Sequence, residues 1–303
     1  MTTKNRFRGC LAGLAAGDAV GTTVEFMPRS GFEPLRDMVG GGPFNLGPGQ
    51  WTDDTSMTLC LAESLVEKSG FDARDQMERY CRWMETGYLS STGSCFDIGS
   101  TVATALQRYL KTGEPYSGST HPRSAGNGSI MRLAPIPMNY YPDINLSESM
   151  AGESSRTTHG AEECIDACRL LARMTVRALS GRSKEEILLA DRDSFSGSQK
   201  IVAIARAGYL EKDESDLYGT GYVVQSLEAA LWCFAGSVSF RDAVLRAANL
   251  GDDADTTAAV CGQLAGAYYG LDGIPRHWTE KLAMKEKILE LSDRLYSKKT
   301  PGE

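Results

Sequence analysis

Two short acidic segments hold the residue types best suited to chemistry in this 303-residue chain. The first is Trp51-Thr52-Asp53-Asp54-Thr55. The second, about two hundred residues later, is Gly251-Asp252-Asp253-Ala254-Asp255-Thr256-Thr257. Each places carboxylates and hydroxyls at the start of a predicted helix. Taken singly, either segment reads as an N-cap with acidic residues in the first turn, which the helix dipole favours. Together they bring five carboxylates to helix starts, more than capping requires. Converging carboxylates repel and raise one another's pKa unless a cation neutralises them. Hard oxygen donors without a neighbouring His or Cys select Mg²⁺, Mn²⁺ or Ca²⁺ over Zn²⁺. Neither segment has the 12-residue loop with a glycine at its sixth position that an EF-hand needs. His121, His159 and His277 are not spaced as a zinc pair. A binuclear Mg²⁺ or Mn²⁺ site is the expectation.

A third element is Gly126-Asn127-Gly128-Ser129-Ile130-Met131-Arg132. Such a glycine-rich turn lets backbone N–H groups approach a phosphate, although glycines also simply make turns. It lacks the Lys-Ser/Thr ending of a P-loop and the GxGxxG of a dinucleotide fold. Pro135 and Pro137 are read as ending the short segment that follows.

The elements that must position these residues read as helices. Apolar residues at Ile165, Cys168, Ala172, Val176 and Leu179 form a 3.6-residue stripe over 161–180. Trp278, Leu282, Ile288, Leu291 and Leu295 suggest another over 277–296. Segments 55–68, 72–86, 97–111, 222–235, 239–249 and 256–269 also read as helices, while 40–50 and 112–130 read as loops. No period-2 strand stands out, so an all-α fold is expected. Gly9, Gly13 and Gly17, and likewise Ala258, Gly262 and Gly266, recur on successive helical turns. Glycine costs helix propensity, which close packing of two central helices would explain. No linker divides the chain, so one domain over 1–303 is expected.

Net charge is −7, and basic residues form no block beyond short pairs such as Lys298–Lys299. A nucleic-acid partner is therefore disfavoured. The N-terminal Gly/Ala-rich stretch is interrupted by Asp18 and is too short and polar for a membrane span. Eight cysteines without a CxxC pair read as free, buried thiols in a reducing cytoplasm. The absence of heptads leaves a monomer as the default.

In order and spacing, these residues resemble the ADP-ribosylglycohydrolase family. The matching pieces begin with Gly17-Asp18-Ala19-Val20-Gly21 and Glu25, then Thr52-Asp53-Asp54-Thr55 and Asp97-Ile98-Gly99. They continue with Gly126 to Arg132, Thr158-His159-Gly160 and Gly251 to Thr256, spanning residues 9–270. Gly219 to Trp232 looks closest to the bacterial branch that includes dinitrogenase-reductase-activating enzymes. The last acidic motif reads Gly-Asp-Asp-Ala-Asp where the family more often has Gly-Gly-Asp-Thr-Asp.

The resemblance implies a compact orthogonal helical bundle with two Mg²⁺ or Mn²⁺ ions in a cleft. Thr52, Asp53, Asp54 and Asp255 would hold one ion, and Asp253, Asp255 and Thr256 the other. Glu25 matches a gating glutamate, Asp54 and Asp97 are further catalytic candidates, and Asp97 and Gly99 would lie beside the substrate ribose. Gly126, Asn127, Gly128 and Ser129 would cradle the diphosphate, with Met131 and His159 against the ligand and Tyr222 stacking on adenine. The implied reaction is metal-dependent hydrolysis of the bond between ADP-ribose and a protein side chain, arginine first, reversing mono-ADP-ribosylation, with a toxin as one source of the modification. The alternatives are a non-catalytic ADP-ribose- or toxin-binding protein of immunity type, and a hydrolase of small ADP-ribosyl conjugates.

Overall fold

The computed structural model describes residues 1–298, so Lys299 of the terminal basic pair lies outside the described residues. Among those residues there are fourteen α-helices and no β-strand, only isolated bridges. They are α1 (Thr3–Gly21), α2 (Asp53–Glu67), α3 (Ala73–Thr86), α4 (Ser100–Thr112), α5 (Pro135–Tyr140), α6 (Ile144–Arg156) and α7 (Glu162–Leu179). The order continues with α8 (Lys184–Leu189), α9 (Gln199–Ala205), α10 (Val223–Gly236), α11 (Phe240–Ala248), α12 (Ala254–Tyr269), α13 (Arg276–Lys281) and α14 (Lys285–Ser297). The all-α expectation holds.

At the centre α1 lies antiparallel against α12, and the reason is the small-residue stripe. A Cβ built on Gly9 would stand 2.3 Å from the Gly266 carbonyl oxygen, and one on Gly13 2.4 Å from that of Gly262. The same clash recurs between Gly17 and Ala258 at 2.1 Å, and between Gly21 and Ala254 at 2.3 Å. Two backbones thus touch along four turns. Helices α10 and α11 cover other faces of α12, and α14 and α2 pack on α1. Gly17→Val is expected to cost about 3 kcal/mol and lower the thermal midpoint by about 5 °C. Differential scanning calorimetry checks this, and an unchanged midpoint would mean that the two backbones are not in contact.

Three readings of local structure change. The stripe over 277–296, which reads as one helix, is two. Between them Leu282 is extended and Met284 left-handed (φ 50°). There the Ala283 N–H donates to the Gly49 carbonyl (2.9 Å), and its own carbonyl accepts from the Trp51 indole (3.2 Å). This break anchors Trp51, the residue before the first acidic motif. The helix expected from 97 begins at Ser100, since Asp97 is left-handed (φ 58°) and Gly99 is the cap. Pro135 starts a helix rather than ending a segment, as its missing N–H costs nothing at that position. Helices α6, α8 and α9 were not anticipated.

No described helix is long and apolar enough to cross a membrane. All eight cysteines are free and seven are buried, as expected.

Candidate active site

The antiparallel contact fixes the site, because the C-terminal end of α1 meets the N-terminal end of α12. Asp18 on the last turns of α1 is fully buried, and its carboxylate takes four hydrogen bonds from the start of α2. The donors are the Thr52 N–H (2.9 Å) and hydroxyl (2.9 Å), and the Thr55 N–H (3.0 Å) and hydroxyl (2.6 Å). The cap of α2 is therefore supplied by a residue from another helix. Thr52, which reads in sequence as the cap, turns its hydroxyl to Asp18 and to Asp255 (3.1 Å) instead. That frees Asp53 and Asp54 from capping.

The second motif closes on the first. The Thr256 hydroxyl lies 3.2 Å from Asp54 Oδ1, and the Asn127 amide donates to Asp253 Oδ2 at 2.9 Å. Ligand oxygens of Glu25, Asp97 and Asp255 all lie within 4.8 Å of one another. Glu25 is buried at the end of the turn after α1, with Thr22 Oγ1 3.4 Å from its carboxylate. Asp252 has φ 56°, a left-handed conformation that explains why a glycine suits this position. Its backbone pairs with Phe26 and Met27, whereas its side chain does not line the cleft.

These groups open into a cleft of about 380 Å³. Glu25, Asp53, Asp97, Gly99, Gly126, Asn127, Gly128, Met131, His159, Asp253, Asp255 and Thr256 line it. Thr52 and Asp54 lie beneath its floor, and Ser129 is buried behind the glycine turn. Tyr222 stands in an adjoining recess that shares Gly126 and Gly221 with the cleft. Among the described residues no lysine or arginine lines the cleft.

Without a cation, so many acids cannot all ionise. Burial, then the charges of Asp97, Asp253 and Asp18, pushes Glu25 up to about 10. Burial with Asp18 and Asp253 raises Asp97 to about 8. Asp53, Asp54 and Asp255 stand well above the usual carboxylate range, first from burial and then from one another and their acidic neighbours. Asp54 Oδ2 and Asp255 Oδ1 are buried without a hydrogen-bond donor. Unsatisfied buried oxygens, carboxylate repulsion and an all-oxygen donor set fit a hard divalent ion.

The glycine turn is held from behind. Arg132, almost fully buried, donates to the Gly128 carbonyl (2.6 Å) and to Thr158 Oγ1 (2.6 Å). The Thr158 hydroxyl in turn meets His159 Nδ1 at 2.8 Å. That bond leaves Nε2 facing the turn, where a Cβ on Gly128 would come within 3.1 Å of it. Burial, then Arg132, lowers His159 to about 3, so its ring is neutral and not a general base near neutral pH. The roles of Asp18 and Arg132 escaped sequence reading, although both lie in quoted motifs. A charged residue inside an apolar run was the signal available for each.

An all-helical bundle thus brings two acidic helix starts and a glycine turn together across one cleft. The chain belongs to the ADP-ribosylglycohydrolase family, whose model matches residues 1–303. It is 45% identical to the ADP-ribosylarginine hydrolase Tri1 of Pseudomonas putida, over 97% of this chain and 78% of that protein. It is 33% identical to the ADP-ribosyl-[dinitrogen reductase] glycohydrolase of Rhodospirillum rubrum, over 93% of this chain and 91% of that protein. A solved structure titled as an ADP-ribosylglycohydrolase-related protein complex superposes with a TM-score of 0.85 at 42% identity. That match covers 98% of this chain and 99% of the other.

Proposed function

We propose that this protein releases ADP-ribose from arginine side chains of modified proteins by hydrolysing the N-glycosidic bond. The observation that carries the reading is the convergence of Glu25, Asp97 and Asp255 beside the Gly126–Gly128 turn in one cleft lined by no described lysine or arginine. Relatives named as ADP-ribosylarginine hydrolase and dinitrogen reductase glycohydrolase support arginine as the acceptor.

The residues proposed to hold two Mg²⁺ or Mn²⁺ ions are Thr52, Asp53, Asp54 and Asp255 for one, and Asp253, Asp255 and Thr256 for the other, with Asp255 common to both. Bound ions would orient ribose hydroxyls and lower the pKa of the attacking water. The chain does the rest. The Gly126 and Asn127 N–H groups are used within the protein, on the Ser124 and Gly221 carbonyls, so the N–H groups of Gly128 and Ser129 are the ones of the turn that take the diphosphate. Asn127 steadies Asp253 through its amide, and His159 presents Nε2 beside the turn. Asp97 and Gly99 position the ribose. Positive charge develops at the anomeric carbon as the glycosidic bond breaks, and the surrounding carboxylates stabilise it. Glu25, ionised when the site is neutralised by cations, takes the water proton as the C1–N bond breaks with its electron pair going to nitrogen, and returns that proton to the departing guanidine. Tyr222 stacks on adenine.

The same reading makes the chain a single domain, a monomer and a cytoplasmic enzyme of a bacterium, with ADP-ribosylated protein as its partner and an ADP-ribosylating toxin as one source of that substrate. The test is ADP-ribose release from arginine-modified and serine-modified protein with Mg²⁺, with Mn²⁺ and with EDTA. Metal-dependent release from arginine is expected. Binding of ADP-ribose without release from either protein would overturn the reading and leave a non-catalytic binder or a hydrolase of small conjugates.

A further inference from the structure

One edge of the cleft is aromatic, and nothing assigned so far uses it. Phe26 follows Glu25 directly and lines the cleft, yet it is 66% exposed. Its backbone is left-handed (φ 63°) and its N–H donates to the Asp252 carbonyl at 2.7 Å. The ring is thereby turned outward on a fixed backbone. Phe44 meets it edge-on, with centroids 6.4 Å apart, and Phe96 meets Phe44 at 5.1 Å. Phe96 immediately precedes Asp97. The loop carrying Phe44 is seated by Gly42, where a Cβ would stand 2.1 Å from the Thr22 carbonyl oxygen. Phe26 alone of the three lines the cleft, and Phe44 and Phe96 back it in a row that runs from the neighbour of Glu25 to the neighbour of Asp97.

Of the large apolar side chains exposed among the described residues, Phe26 is the one that lines the cleft. Among the described residues no lysine or arginine stacks on any of the three, although eight other cation–aromatic contacts exist in the molecule. None of the three pairs with Tyr222 either. A planar cation suits this edge: its face lies on the Phe26 ring and its charge meets carboxylates in a cleft lined by no described lysine or arginine.

We infer that the Phe26–Phe44–Phe96 wall receives the guanidinium of the modified arginine and the stem of its side chain, and so selects the acceptor. This rests on the proposed arginine-directed activity. Phe26 supplies the exposed face, and Phe44 and Phe96 hold it upright.

The test compares the wild type with Phe26→Ala, Phe26→Trp and the double variant Phe26→Ala/Phe44→Ala. Initial rates on an arginine-ADP-ribosylated protein are measured together with affinity for free ADP-ribose. Phe26→Ala is expected to raise KM about tenfold, with kcat and ADP-ribose affinity nearly unchanged. Phe26→Trp is expected to keep the wild-type KM, which a merely structural role for the ring would not predict. Wild-type release with the same KM in both alanine variants overturns the inference. So does a parallel loss of ADP-ribose affinity, which would give the wall to the nucleotide. A wild type that releases nothing from arginine overturns the activity itself, and the assignment of the wall falls with it.

Discussion

Asp255→Ala is expected to lower ADP-ribose release from arginine-modified protein about a thousandfold, equivalent to about 4 kcal/mol of transition-state stabilisation. Asp255 is the residue on which the site converges. One of its oxygens meets Thr52 Oγ1, the other is buried without a donor, and both Glu25 and Asp97 are within reach. Both proposed ions depend on it. The fold depends on it much less, because an acidic residue in a first turn contributes only about 0.3–1 kcal/mol through the helix dipole. Its removal also relieves repulsion among the remaining carboxylates. The variant should therefore melt in EDTA at or above the wild-type temperature, yet gain little from added Mg²⁺ or Mn²⁺. Activity assays and thermal melts on the same preparation decide this. Retained turnover, or a variant that unfolds in EDTA below the wild type, would sink the assignment.

The second large effect joins pH to metal. The folded-state pKa values of Glu25 (about 10) and Asp97 (about 8) lie above those of an unfolded chain, with burial as the leading cause. Asp53, Asp54 and Asp255 are shifted the same way. A carboxyl group so shifted holds its proton more tightly folded than unfolded. Its contribution to stability is complete below the unfolded value, near pH 4, and is lost as pH rises through the folded one. In EDTA the protein should therefore lose stability steadily from about pH 4 to about pH 10, a window set by the unfolded values and by Asp97 and Glu25. A divalent ion favours the charged carboxylates and should reverse that slope. At a hundred times its dissociation constant the ion should raise the midpoint by about 4 °C at neutral pH. Melts at three pH values, with EDTA and with Mg²⁺ or Mn²⁺, test both slopes. A pH-independent midpoint in EDTA would contradict the packing of these acids.

Much of this was written in the sequence, and the part that was not has a physical reason. The acidic motifs at 52–55 and 251–256 could be read because each is contiguous and each opens a helix. The Gly9–Gly17 and Ala258–Gly266 stripes announced a close helix pair by their spacing alone. Asp18 is different: its partners Thr52 and Thr55 belong to another helix, and only tertiary structure brings them together. Arg132 likewise acts through Gly128 and Thr158, the second of which is 26 positions away. The break at Leu282–Met284 is made by pairing with Gly49 and Trp51, which outweighs the local preference for a continuous helix. Asp97 and Asp252 take left-handed backbone that no pattern of apolar residues reveals.

The contact between α1 and α12 also has a bearing on how the chain assembles during synthesis. The turns carrying Gly9 to Gly21 emerge first, and their partners from Ala254 to Gly266 follow more than two hundred residues later. At about 5–20 residues per second, the first helix waits on the order of ten seconds or more for its mate. A leucine-rich surface would be a hazard over that interval, open to other nascent chains. A glycine and alanine surface offers little apolar area to a wrong partner, and becomes adhesive only where a second surface follows its backbone closely enough to touch it. The residues that let the two helices meet so closely thus also leave that face of the first one with little to offer a wrong partner until the second arrives.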